Sequence, residues 1–245
     1  MRTVDKLWVD KLMGGYGALR QDEKSILGYG LLRRTLQLQK LVAQAIKLCN
    51  LSRMRIVDFG CSDGAMLKSL AESHHGEVEA AVGFDKFPNG LPENERALRL
   101  RFEKVDLYRA YPYPLADNTH NVLIASSFFK HHPDPLRFLG ECHRILEPGG
   151  VLILLEPCPW VVRIGIRLKY FRKESNRNIW SYRRLATLLR ESGLRGEFTE
   201  VMRQKYWVAP NHFFYKAGLE RVVPSFLVER IGLHQSIILA KQRGC

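Results

Sequence analysis

Long apolar runs are missing from this chain. No stretch approaches the roughly 18–20 uninterrupted apolar residues that a spanning helix needs. Cysteine is sparse and scattered: Cys49, Cys61, Cys142, Cys158 and Cys245 form no Cys-x-x-Cys pair and no zinc-type cluster. Reduced thiols, no metal site and a cytoplasmic location are therefore expected. The first residues carry acid early and no apolar run follows them, unlike a secretory signal. Repeats and low-complexity linkers are absent, and 46% of the residues are apolar, which excludes a collagen-like or wholly disordered chain. The length of 245 residues suits one domain, with at most an added lobe. Acid is also in short supply. The 25 Asp and Glu stand against 38 Lys and Arg, for a net charge of +13. The imbalance is local: residues 1–50 carry +5, residues 51–150 carry −2, and residues 151–245 carry +10. A basic surface there attracts nucleic acid, phospholipid headgroups or an anionic substrate, or is a solvated Arg-rich face.

What is present is alternation of short apolar runs with amphipathic segments. Residues 1–50 read as an N-terminal helical segment, with apolar residues at helical spacing from Ile26 to Ile46 and a start weakened by Gly28 and Gly30. Strands are expected at 55–59, 78–84, 100–105, 122–126, 151–156 and 236–241. Helices are expected at 65–73, 93–98, 135–146 and 182–192. Asp134 and Ser181 stand as N-caps, and Pro148-Gly149-Gly150 breaks the chain before the fifth strand. Residues 160–173 fit a strand by alternation and a helix by length. The order of elements implies an α/β fold with a doubly wound, mostly parallel sheet over residues 51–245.

Three strand ends carry the chemistry. Asp58-Phe59-Gly60-Cys61-Ser62-Asp63-Gly64 joins the first strand to a helix, and glycines at such a turn let backbone N–H groups approach a ligand. Asp85 ends the second strand and is suited to a ribose diol; Asp106 ends the third and is suited to an adenine amino group. The dinucleotide fingerprint Gly-x-Gly-x-x-Gly/Ala falls here on Gly60, Ser62 and Ala65. Its middle glycine is replaced, which disfavours a pyrophosphate.

In this order the motifs resemble those of class I S-adenosylmethionine-dependent methyltransferases of the small-molecule and quinone-biosynthesis type. Asp58–Gly64 resembles the family's first motif, residues 126–135 the stretch after its fourth strand, and Arg144–Gly150 the turn before its fifth. The resemblance runs from about residue 53 to 195. It implies a Rossmann-like sheet of seven strands, S-adenosylmethionine as cofactor, and a cofactor site of Asp58, Gly60, Cys61, Ser62, Gly64, Asp85, Lys86, Asp106, Leu107, Ser126 and Ser127. Ser62 departs from the second glycine of the motif, Asn121 from an Asp before the fourth strand, and Lys130 from an acid before His131. The replacement at Ser62 is expected to set the backbone slightly farther from the methionine moiety.

His131, at the carboxyl end of the sheet, is the candidate base or a structural neighbour of the cofactor; His132 and His212 are weaker candidates. Tyr206, Trp207, Phe213, Phe214 and Tyr215 either wall an acceptor pocket or belong to the core. A lid insertion is expected at about 157–180, mixing Arg163, Arg167, Lys169, Arg172, Lys173 and Arg177 with Trp160, Ile164, Ile166, Leu168, Tyr170 and Phe171. That mixture fits an amphiphilic or anionic acceptor, such as a lipid or sugar precursor, or peripheral contact with an anionic membrane. Transfer to RNA and a catalytically inactive binding protein of the same fold are the competing readings.

Overall fold

The computed structural model of the protein describes residues 26–86, 96–168, 179–206 and 232–243. The helices are α1 (Ile26–Cys49), α2 (Ala65–Ser73), α3 (Pro135–Ile145), α4 (Pro159–Arg167) and α5 (Tyr182–Glu191). The strands are β1 (Met54–Phe59), β2 (Val78–Asp85), β3 (Leu100–Lys104), β4 (His120–Ser126), β5 (Leu146–Pro157), β6 (Phe198–Tyr206) and β7 (His234–Lys241). The seven strands form one sheet in the order β3-β2-β1-β4-β5-β7-β6. β1 to β5 pair in parallel, and β7 runs antiparallel between β5 and β6. This is the doubly wound, mostly parallel sheet that the alternation implies.

Period-two alternation sorts each strand onto two apolar layers. On one face Met54, Ile56, Val122, Ile124, Val151 and Ile153 pack with Leu38, Leu41, Val42 and Ala45 of α1 and Leu67 and Leu70 of α2. On the other, Val57, Phe59, Leu123, Leu152 and Leu154 pack with Phe138 and Leu139 of α3 and Leu185 and Leu188 of α5. Both expected caps form: Asp134 Oδ1 accepts from the Arg137 N–H at 3.0 Å, and Ser181 Oγ from the Arg184 N–H at 3.3 Å.

Four local readings change. Pro148-Gly149-Gly150 does not break the chain before a strand. β5 starts at Leu146, opposite His120, and takes up the glycines as a register irregularity in which Gly149 adopts φ +85°. The helix expected at 93–98 is a single 3₁₀ turn, Arg96–Leu98, where it is described; residues 93–95 lie outside the described residues. Pro159–Arg167 is a helix, which settles the described part of 160–173, and residues 169–178 lie outside the described residues. β6 has no counterpart among the expected strands, because as the edge strand it carries exposed Thr199, Glu200 and Arg203 among partly buried residues and lacks an apolar run. Trp207, His212, Phe213, Phe214 and Tyr215 lie outside the described residues.

Candidate active site

The site grows out of the turn after β1. Gly60, Ser62 and Gly64 all take left-handed backbone, with φ of 75°, 55° and 71°. Serine thus occupies the middle position with the conformation of the two glycines that flank it. The Gly60 and Cys61 N–H groups both donate to the Phe84 carbonyl, at 2.8 and 3.1 Å, and the Gly64 N–H to the Cys61 carbonyl at 2.9 Å. The Ser62 N–H donates to Asp85 Oδ2 at 2.8 Å. The acid at the end of β2 therefore pins the turn as well as facing the cleft. A Cβ on Gly60 would lie 2.6 Å from the Phe128 ring, so this position requires glycine for space as well as for φ.

A cleft of about 210 Å³ opens at the carboxyl edge of β1, β2, β3 and β4. Gly60, Asp85, Lys86, Asp106, Leu107, Ser127 and His131 line it, together with Tyr108 and Phe128. The structure thus brings seven of the sequence-derived site residues to one opening. Lys86 Nζ reaches Asp106 Oδ2 at 2.9 Å, and that hydrogen bond holds the Asp106 carboxyl below the ordinary carboxylate range. Asp106 Oδ1 also accepts from the Tyr108 N–H at 3.2 Å. The Tyr108 and Phe128 rings stack at 5.9 Å and 20°. Sequence reasoning did not single them out; the signal was available, since one follows Asp106-Leu107 and the other lies in the stretch after β4.

Cys61, Ser62, Gly64, Asp58 and Ser126 do not line the cleft. Cys61 is buried, its sulfur against Gly83, and burial pushes its thiol up. Ser126 is buried and its hydroxyl has no hydrogen-bond partner. Asp58 is fully buried, and neither carboxylate oxygen has a partner. Burial first, then the charge of Asp85, pushes its carboxyl up to about 7. An orphaned buried acid is costly. It fits a ligand that brings positive charge to the inner side of the turn.

His131 and His132 separate cleanly. His131 ends a 3₁₀ turn, Phe129–His131, and faces the cleft. His132 is fully buried among Tyr108, Tyr111, Phe128 and Phe138. Its Nδ1 accepts from the Asp134 N–H at 3.2 Å, which places the ring proton on Nε2, near Tyr111 Oη at 2.6 Å and the Leu107 carbonyl at 3.2 Å. Burial holds this imidazole below its usual range. His132 is thus held in the core and does not line the cleft.

The next strand end carries a second polar group. Lys130 Nζ pairs with Glu156 Oε2 at 3.2 Å and donates to the Ser127 carbonyl at 2.7 Å. Burial lowers the ammonium and raises the carboxyl. The lysine that departs from the family pattern thus has its own acid, supplied by the end of β5. Arg34 of α1 donates to Ser127 Oγ at 3.0 Å, tying the first helix to the tip of β4. No sequence signal marked Arg34, which sits within an ordinary helical pattern.

Known proteins share this fold. The family described as a methyltransferase domain matches residues 32–209. A ubiquinone biosynthesis O-methyltransferase of Cereibacter sphaeroides is 28% identical over 106 residues, covering 41% of this chain and 40% of that protein. The chain spans less than half the length of the curated relatives it matches. Among solved structures, an S-adenosylmethionine-dependent methyltransferase from Mesorhizobium loti superposes with a TM-score of 0.56 at 16% identity, over 78% of this chain and 92% of that one. The plantazolicin methyltransferase BpumL, solved with a monoazolic desmethyl analogue of plantazolicin and S-adenosylhomocysteine, gives 0.56 at 14% identity over 98% of both chains. At such identities the likeness is one of fold.

Proposed function

The chain belongs to the methyltransferase-domain family, and we propose that it transfers the methyl group of S-adenosylmethionine to an oxygen, nitrogen or carbon of a small amphiphilic acceptor. The observation that carries this reading is the orphaned Asp58 carboxylate behind a turn with three left-handed residues, beside a cleft with an acid at each of two strand ends. The cofactor supplies an electrophilic methyl on a sulfonium, and its methionine end carries an ammonium. Asp85 and Asp106 would hold the ribose and adenine, with Lys86 fixing Asp106 in place. Tyr108 and Phe128 provide apolar walls. Asp58 would balance the positive methionine end. His131 faces the same cleft and would accept a proton from an acceptor hydroxyl as the bond to carbon forms. The protein otherwise orients the reactants and keeps the site dry.

A small-molecule acceptor is supported by the similarity to a ubiquinone biosynthesis O-methyltransferase. An amphiphilic one is supported by α4, which leaves Trp160, Ile164 and Leu168 exposed next to Arg163 and Arg167. No helix among the described residues is long and apolar enough to cross a membrane.

Calorimetry with S-adenosylhomocysteine tests the site. Asp85→Ala should weaken binding by roughly 10- to 150-fold, the worth of charge-assisted hydrogen bonds of about 1.5–3 kcal/mol. Unchanged affinity in a folded variant removes Asp85 from the site, and NADH binding as tightly as the donor overturns the reading.

A further inference from the structure

The cofactor cleft has two walls that no strand pairing joins. Asp106, Leu107 and Tyr108 follow β3, and Ser127, Phe128 and His131 follow β4. β2 and β1 lie between those strands, so the sheet ladder does not tie one loop to the other. The Tyr108 and Phe128 rings touch across the opening. Behind them a second link is made of hydrogen bonds, which are directional.

His132 makes that link. It is fully buried and stands one residue past His131, at the end of the second wall. The start of α3 holds one side of its ring: Nδ1 accepts from the N–H of Asp134, the residue that caps that helix. On the other side Nε2–H reaches the first wall, 3.2 Å from the Leu107 carbonyl and 2.6 Å from Tyr111 Oη. Tyr113, also buried, donates its hydroxyl to the same carbonyl at 3.1 Å. That carbonyl shares one peptide unit with the Tyr108 N–H, which donates to Asp106 Oδ1 at 3.2 Å. A trans peptide is planar, so its C=O and N–H turn together as one rigid body. Holding the carbonyl therefore aims the N–H, and the N–H aims the Asp106 carboxylate. Lys86 takes the other oxygen, Oδ2, from the cleft side.

We propose that His132 is a positioning residue for the donor site: through the peptide between Leu107 and Tyr108 it orients the Asp106 carboxylate, and it ties that wall to the turn carrying His131. This inference rests on the methyltransferase reading. His132 acts from the core, without touching the ligand or moving a proton.

The experiment is calorimetry of S-adenosylhomocysteine and adenosine on full-length protein, comparing His132→Gln with His132→Met. The glutamine amide N–H reaches about as far as Nε2–H, and methionine has the same length and no donor. A buried methionine is tolerated at least as well as a buried amide. If the histidine only filled the core, His132→Met would bind at least as well as His132→Gln. A positioning role requires the reverse. His132→Gln should stay within about 2-fold of wild type, and His132→Met should bind both ligands about 3- to 10-fold more weakly, the worth of one hydrogen bond. His132→Leu serves the same comparison where His132→Met does not fold. Affinity unchanged in the folded donor-free variant, His132→Gln binding no better than that variant, or a loss seen with S-adenosylhomocysteine and not with adenosine overturns the proposal. Failure of the wild type to bind S-adenosylhomocysteine overturns the methyltransferase reading instead, so the two failures are distinguishable.

Discussion

Ser62 holds left-handed backbone at φ 55° between two glycines that do the same. A side chain in that conformation costs roughly 1–2 kcal/mol, offset by the smaller chain entropy that a non-glycine residue loses on folding. Ser62→Gly should therefore raise the urea midpoint slightly, by under about 1 kcal/mol of stability. A fall would mean that the serine side chain contributes more than its backbone costs. Asp58 gives the opposite kind of strain. In the folded protein its carboxyl keeps a proton up to about pH 7, whereas an ordinary Asp releases it near 3.8. The folded state thus binds this proton more tightly than the unfolded chain. Unfolding free energy falls through this group as pH rises from about 4 to 7. Asp58→Asn is neutral throughout, so ligand-free variant and wild type should match near pH 4, and the variant should be more stable at pH 8 by on the order of 4 kcal/mol. The same change should weaken S-adenosylhomocysteine. Denaturant titrations at the two pH values check the first half; equal stability at pH 8 would mean that Asp58 is already balanced. The sequence marked Asp58 for the site, but only packing makes it an orphan, because burial depends on what α1 and α2 lay over β1.

Among the elements, α4 is the one whose pattern changed meaning once its ends were known. Over residues 160–173 the basic and apolar residues do not sort into faces. Within Pro159–Arg167 and its C-cap Leu168 they do: Trp160, Ile164 and Leu168, 39%, 48% and 60% exposed, recur every four residues beside Arg163 and Arg167, while Val162 is buried. The helix itself carries no acid. Such a face suits an anionic lipid surface. Sedimentation with anionic vesicles should capture the protein at low salt and release it at high salt, and Trp160→Ser/Leu168→Ser should reduce capture several-fold. Capture by neutral vesicles alone, or none by anionic ones, would leave α4 as a solvated face. Tight binding of short RNA in its place would favour the RNA methyltransferase. The central strands β4 and β5 were legible because both faces are covered and their middles are continuous apolar runs. β6 was not, because an edge strand needs no such run, and the Pro-Gly-Gly signal misled because β5 takes it up within the strand.

At the scale of the whole molecule, function follows from where one sheet edge places its strand ends. β1, β2 and β3 end at the cofactor cleft, and β5, β7 and β6 bring Glu156, His234 and Tyr206 to the same edge, with β4 and Arg34 of α1 between them. The sequence shows the first half of this edge, since its residues lie in short motifs directly after strands. Of the second half it marks only Tyr206, as an acceptor-pocket wall or a core residue; Arg34, Glu156 and His234 are far apart in the chain and meet only through strand order. The central claim is methyl transfer to a small amphiphilic molecule. The measurement that tests it most directly is incubation of the protein with methyl-labelled S-adenosylmethionine and a fractionated cell extract, with label counted in the RNA, protein, lipid and small-molecule fractions. Label is expected in the lipid or small-molecule fraction and should be lost in Asp85→Ala; label in RNA, or donor binding with no label transferred to any fraction, would rule out methyl transfer to such an acceptor.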